Sequence, residues 1–303
     1  MKERITQKEF GRNGERLIPE TIREPINNSD KPLYIIEPRR MKLSAVDWTE
    51  LSQYRELLFF MIWRDILIRY KQTVLGAFWE ILKPLSIVMV LTLVMGYIVT
   101  VPSEGVPYPL FYYSGVVIWT FFAQTMNNAA ASVLSQSHLI TKVYFPRIII
   151  PFAVVVSGIF DMVIALSLLI PLMIWYGILP SAKLFFLPFS LMLTFMSALG
   201  LGLAFCALIV KYRDFQNVLP VFTQLMFFIS PVFYPVTVIP EEWIFLYGLN
   251  PIAGAVQALR WSLFDTSPAP WILLAPGLVS ATLLLVGGLL YFERGTRTFA
   301  DWL

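Results

Sequence analysis

The chain has little of what water-soluble enzymes work with. Only 14% of its 303 residues are charged, against roughly 25% in a soluble domain. It has one cysteine and one histidine. The cysteine, Cys206, cannot close an internal disulfide, and no Cys-x-x-Cys spacing exists. The histidine, His138, excludes any site that needs two imidazoles, such as the His-Glu-x-x-His zinc motif. No Gly-x-x-x-x-Gly-Lys-Ser/Thr segment occurs, so the chain carries no phosphate-binding loop of its own. What it has in quantity is apolar surface: 57% of residues are hydrophobic, with 24 Phe, 13 Tyr and 9 Trp. That composition implies a polytopic membrane protein with most of its length in lipid.

Six apolar blocks are long enough to cross roughly 30 Å of hydrocarbon at ~1.5 Å per residue. They lie at about 81–101, 110–134, 148–177, 184–210, 219–238 and 271–292. The expected fold is therefore an all-α bundle of six transmembrane helices. The third block is long and holds Pro151 and Pro171, so a tilt or kink is expected there. Residues 1–50 form a separate zone rich in Arg, Lys, Glu, Asn and Pro. This zone reads as an irregular cytoplasmic arm, and it lacks the apolar core of a secretory signal. Residues 51–303 then form the transmembrane domain. With the N-terminus placed in the cytoplasm, every Lys and Arg except Lys183 and Arg260 falls inside. That asymmetry predicts both termini to be cytoplasmic.

Residues 51–79 read as a helix. At a helical period, Phe59, Trp63, Ile66, Leu67, Tyr70 and Val74 share one stripe. Arg64, Asp65, Arg69, Lys71 and Gln72 fall opposite, with Met61 and Ile68 interrupting that polar face. Asp65 and Arg69 also form an i,i+4 pair in the favourable order. The pattern predicts an amphipathic helix in the membrane interface, its cationic side toward the headgroups. The packed first helix of a soluble domain is the alternative, disfavoured by the spans that follow directly. The stretch 239–268 is too polar to span, yet it is rich in aromatics. Asn250-Pro251 reads as an N-cap followed by proline at the first helical position. Ser230-Pro231 and Tyr234-Pro235 break the fifth helix before it. Two short amphipathic helices on the external side are expected here, resting on protein or lining a wet cavity.

Chemistry has few places to sit. Asp161 is the only carboxylate well inside a span, and such groups are functional candidates by default. No partner for it is visible in the sequence, so a polar contact with a Ser, Thr or Asn of a neighbouring helix is expected. Glu104, Glu241, Glu242 and Asp265 lie in external loops without a matching histidine, which argues against acid–base catalysis. Ser135–Lys142 can form a short cytoplasmic helix ended by Pro146: a docking knob for a partner, or an ordinary connector. Aromatics gather near the external ends of the second and fifth spans. They fit an interfacial belt or a conduit whose rings stack on sugars. Small residues at Ser197–Gly202 and Gly287-Gly288 allow close helix approach, within or between subunits.

Several motifs in order carry a resemblance. Trp63-Arg64-Asp65-Ile66-Leu67-Ile68-Arg69-Tyr70-Lys71-Gln72-Thr73-Val74-Leu75-Gly76, then Lys83-Pro84-Leu85, resembles the opening signature of the polysaccharide-exporting permeases of type 2 ABC transporters. These are the Wzm-like and TagG-like subunits for O-antigen, capsule and teichoic acid. Leu139–Arg147 resembles their first cytoplasmic loop and Tyr212-Arg213-Asp214-Phe215 their second. Ser230–Pro235 followed by Leu249-Asn250-Pro251 resembles the external gate region. Phe299-Ala300-Asp301-Trp302-Leu303 resembles a tail that more often reads Phe-Ala-Asp-Val and an aliphatic residue.

The resemblance spans about residues 50–303. It implies an inner-membrane homodimer joined to two copies of a separate ATPase, which would bind ATP and Mg; this chain needs no cofactor. It implies an ATPase-coupling loop at His138, Leu139, Thr141, Lys142, Tyr144, Phe145 and Arg147. It implies an interfacial helix carrying Trp63, Arg64, Asp65, Arg69, Tyr70 and Lys71. It also implies that some of Tyr112, Trp119, Phe122, Phe228, Phe233, Tyr234, Trp243, Tyr247 and Trp261 line a sugar channel or its gate. The expected partners are lipid-linked polysaccharide and membrane lipids, and not nucleic acid. A type 2 permease for a drug, haem or lipid, or a non-transporting scaffold, stays open as an alternative.

Overall fold

In hydrocarbon every backbone N–H and C=O must be satisfied within the segment, which favours helices. Every regular element among the described residues is helical. The computed structural model describes residues 52–71, 76, 78–140, 145–179, 182–265, 271–296 and 299. They lie in a unit that runs from Ser44 to Leu303. The arm at 1–50, the coupling residues Thr141, Lys142 and Tyr144, and most of the C-terminal tail motif lie outside the described residues.

The elements follow in chain order. Helix α1 is Arg55–Lys71. Helix α2 is Phe78–Leu91, prolonged as a π-helix over Thr92–Ile98. Helix α3 is Tyr108–Ser135 and α4 the single turn Ser137–Ile140. Helices α5, Ile149–Ser167, and α6, Leu169–Trp175, are nearly continuous. A 3-10 turn at Ala182–Phe186 leads into α7, Leu187–Lys211. Then come α8, Phe215–Ile229; α9, Glu241–Gly248; α10, Pro251–Phe264; and α11, Trp271–Thr296.

Among the described residues, four stretches are long and apolar enough to cross a membrane: Phe78–Ile98, Ile149–Trp175, Ala182–Lys211 and Trp271–Thr296. They correspond to the first, third, fourth and sixth apolar blocks. The other two blocks are helical but of a different character. Helix α3 has 28 residues, but it carries Ser114, Thr120, Gln124, Thr125, Asn127 and Asn128 and is largely buried in protein. Helix α8 has 15 residues and stops at Ile229. Ser230 before Pro231 is extended, as steric clash with the proline ring requires.

Proline acts differently at its two positions in the third block. Pro151 sits in the first turn of α5, where its missing N–H leaves no bond unmade. Pro171 cannot donate to the carbonyl of Ser167, and the helix breaks at Leu168 between α5 and α6.

Helix α7 is the centre of the bundle, packed against α11, α3, α10 and α5. Glycine sets its approach to α11. A Cβ at Gly288 would lie 2.1 Å from the carbonyl oxygen of Gly200, and one at Gly200 would lie 2.6 Å from the Leu284 backbone. Gly200 and Gly288 thus serve packing within the chain, whereas Gly287 does not. Gly202 similarly admits Ala129 of α3. Few polar bonds cross these interfaces, among them Ser190 Oγ to the Ala255 carbonyl at 2.6 Å and Tyr113 Oη to the Ala165 carbonyl at 2.7 Å.

Candidate functional site

Two regions at opposite ends of the bundle gather the residues singled out in the sequence. At one end, α1 packs along α5. Of the predicted apolar stripe on α1, Tyr70 meets protein whereas Phe59, Trp63 and Leu67 are exposed. Met61, read as a fault in the polar face, is 3% exposed. Tyr54, Leu57, Leu58 and Ile62 pack into the same cluster, which also holds Phe145, Ile149, Phe292 and Phe299. Phe59 and Trp63, on the predicted apolar stripe, are 69% and 52% exposed.

The polar residues account for this orientation. Arg69 pairs with Asp161 of α5 and donates to Ser157 Oγ at 2.9 Å, while Tyr70 Oη donates to the other Asp161 oxygen. Burial, and then the hydrogen bond to Asp161, hold the Tyr70 hydroxyl far above its ordinary pKa. A buried carboxylate is tolerable only when paired and hydrogen-bonded, and α1 supplies both partners. The expected partners for Asp161, a Ser, Thr or Asn, are thereby corrected to Arg69 and Tyr70. The expected i,i+4 pairing is corrected as well, since Asp65 pairs with Arg64 at 2.7 Å. Beside Asp161 a small cleft opens between α2, α3 and α5, bordered by Glu80, Lys83, Gln124 and Thr125.

The loop expected to couple to an ATPase has Phe145 in the same cluster as Met61. The single turn α4 contains His138 and Leu139. After the segment outside the described residues, Phe145 is buried. Arg147 donates to the carbonyl of Thr296, the last residue of α11, and lies 5.8 Å from the Phe299 ring.

At the other end, α10 is enclosed by α7, α11 and α3. It begins as the sequence predicts: the Asn250 side chain accepts from the Ile252 N–H at 3.0 Å, and Pro251 is the first helical residue. Its expected amphipathic character is corrected, because every residue from Pro251 to Leu263 is buried. Helix α9 is exposed along most of its length.

Arg260, read in the sequence as an external charge, is 0% exposed. Its guanidinium lies 3.6 Å from the Phe111 ring and donates to the Val232 carbonyl at 2.9 Å and the Phe111 carbonyl at 3.3 Å. Longer contacts reach Ser114 Oγ and the Tyr234 carbonyl, both at 3.4 Å. Gly115 leaves the room for this, since a Cβ there would lie 2.6 Å from the Val232 oxygen. Arg260 therefore ties the start of α3 to the broken segment after α8. Burial lowers its pKa to about 9, which still leaves it charged at neutral pH. Burial also raises the Glu104 carboxyl, against the pull of Arg260. Neither Glu104 oxygen has a hydrogen-bond partner among the described residues.

The nine candidate aromatics divide into groups. Trp119 packs on Phe122 and on Phe227, which continues through Phe228 and Phe233 to Tyr234. Tyr234 Oη reaches the orphan carbonyl of Ile229 at 2.9 Å, capping α8, and the Tyr247 hydroxyl at 2.9 Å. Six of the nine thus join one aromatic series on α3, α8 and α9, with Phe228 outermost. Trp119 and Phe122 of that series are buried within this chain, as are Tyr112 and Trp261, the last against Phe186 and Trp271. Trp243 stands on the exposed side of α9.

Two residues that matter here escaped the sequence reading. Glu104 left no signal. Arg260 did: it is the single charge on an otherwise apolar helix, a pattern that points to burial rather than to a wet face. Among the described residues, no three His, Cys, Asp or Glu side chains gather where they could hold a metal.

Comparison with known proteins agrees in kind. Residues 56–264 match the family described as ABC-2 type transporter. The chain is 28% identical over 256 residues to the O-antigen export system permease protein RfbA of Myxococcus xanthus, covering 83% of this chain and 97% of that protein. It is 26% identical over 206 residues to the polysialic acid transport protein KpsM of Escherichia coli, covering 65% and 77%. It is 24% identical over 238 residues to the capsule polysaccharide export inner-membrane protein CtrC of Neisseria meningitidis, covering 75% and 86%.

Proposed function

Because this chain belongs to the ABC-2 type transporter family, we propose that it is the permease of an exporter that moves lipid-linked polysaccharide across the cytoplasmic membrane. The cargo class is the O-antigen, capsule or teichoic-acid type, and a separate ATPase subunit supplies the energy. The observation that carries the cargo class is the nearly end-to-end similarity to an O-antigen export permease.

In this reading two copies of the chain join two copies of the ATPase, which bind ATP and Mg²⁺. Six crossings are made by α2, α3, α5 with α6, α7, α8 and α11. The polar α3 and the short α8 are the crossings least suited to lipid, and they stand beside the transport path. The exposed α8 residues Val218, Val221, Leu225 and Phe228 suit contact with a second copy. Residues 1–50, both termini and the loop to Arg147 face the cytoplasm. Helix α1 rests in the inner leaflet with Phe59, Trp63 and Leu67 in the acyl boundary. Asp161 fixes it to α5.

A lipid-linked glycan enters between the two copies. ATP binding closes the ATPase pair, the loop passes that motion to α5, and polymer advances past the accessible part of the aromatic series, Phe228, Phe233, Tyr234 and Tyr247. Helices α9 and α10 limit leakage at the outer end. A clean deletion with paired assays of surface glycan and cytoplasmic lipid-linked glycan tests this. Loss outside with accumulation inside is the expected result, and unchanged pools in a strain without a second exporter refute it.

A further inference from the structure

A short cytoplasmic junction joins two helices that the chain keeps far apart. Phe299 is 1% exposed although it lies beyond the end of α11. Its ring meets Phe292 edge-on at 5.5 Å. It fits because residue 295 is glycine, where a Cβ would come within 3.0 Å of that ring. Arg147 lies over the ring and donates to the Thr296 carbonyl. The last carbonyls of a helix lack internal partners and carry partial negative charge, so a guanidinium there is held by hydrogen bond and dipole together. The aromatic face adds a cation–π contact. On the other side, the Ile150 N–H donates to the Arg147 carbonyl at 3.3 Å, so Arg147 is already part of the entry into α5. Helix α11 runs from this junction to the opposite end of the bundle, where it packs against α9 and α10.

We propose that the junction at the end of α11 is a working part of the coupling machinery, with Phe299 as a positioning residue that locks Arg147 onto the end of α11. Motion imposed on the loop then reaches α5 and α11 together, and through α11 the external helices. This rests on the reading of residues 135–147 as the ATPase-facing loop. Phe299 itself meets neither glycan nor ATPase; it acts through Arg147.

The test uses the full chain with its ATPase in vesicles, and reads glycan exported per ATP hydrolysed. Co-purification of the wild-type chain with an ATPase comes first; failure there removes the ATPase reading and this proposal with it. Given a complex, Phe299→Leu is expected to keep ATPase binding and hydrolysis but lower export per ATP about fivefold or more, the lower range for coupled sites. Phe299→Tyr, which keeps the ring, is expected to retain the wild-type ratio. Arg147→Lys keeps the charge but not the planar fork that reaches both the ring and Thr296, so it is expected to lower export per ATP at least as much as Phe299→Leu. The double variant should be no worse than Arg147→Lys alone, since both remove the same contact. A wild-type ratio in Phe299→Leu, or single effects that multiply in the double variant, overturns the proposal while leaving the ATPase reading standing. If Phe299→Leu is lost from the membrane, Phe299→Met, closer to the ring in length, decides in the same way.

Discussion

At Arg260 a guanidinium is wholly withdrawn from solvent and shared between the start of α3 and the extended segment after α8. Lysine keeps the charge but offers a point donor rather than a planar fork, so it cannot serve both carbonyls and lie flat on Phe111. Arg260→Lys should lower unfolding free energy by about 3 kcal/mol, the scale of breaking a buried charged cluster. Denaturation of purified protein in detergent checks it. Glu104 gives the opposite sign. Burial raises its carboxyl above the ordinary 4.5, so ionisation disfavours the folded state. That penalty is complete above the raised value and gone below 4.5, where both states are protonated. Glu104→Gln should therefore raise the melting temperature near pH 7, with the gain shrinking as pH falls toward 4.5. Melting curves of both proteins across that range decide the matter.

The crossing of α7 and α11 states its requirement at the scale of the element. Gly288 faces the Gly200 backbone, whereas a Cβ at the adjacent Gly287 would meet nothing within 4 Å. Gly288→Ala should force the helices apart and cost about 1–3 kcal/mol or more, as overpacking does. Gly287→Ala should be neutral or stabilising by up to about 1 kcal/mol, through helix propensity alone. Equal effects in a detergent melting assay would remove the packing argument. Helix α1 gives the second lesson at this scale. Its existence and rough extent are legible from period and composition, but its inward face is not. The local pattern offers Asp65 as the partner of Arg69, whereas the partner is Asp161, 92 positions away. Once Arg69 turns inward, Met61 follows and Phe59 and Trp63 are left for lipid.

For the whole molecule, the prediction concerns sidedness. With Cys206→Ala as background the chain has no other cysteine, so a single introduced thiol reports its side unambiguously. Thr237→Cys should react with a membrane-impermeant reagent on intact cells, and Arg213→Cys only after permeabilisation. The reverse pattern would overturn the orientation. The apolar blocks that became four long helices were readable because spanning lipid imposes length and composition on each segment separately. Helix α3 departed from that simple type because its surroundings are largely protein, and α8 because Ser230-Pro231 ends it after 15 residues.

The sequence by itself determined what depends on near neighbours and on solvent. It set the helical blocks, the stop at Ser230-Pro231, the cap at Asn250-Pro251, the break caused by Pro171, and the charge asymmetry that argues for orientation. Its ordered motifs also pointed to the family. Tertiary structure alone decided which face each helix turns inward and which distant groups meet. Arg69 finding Asp161, Arg147 finding Thr296, and Arg260 finding the Phe111 and Val232 carbonyls are long-range choices. Each follows from the same physical demand, that a charge or carbonyl removed from water must find a partner wherever the packed chain happens to bring one.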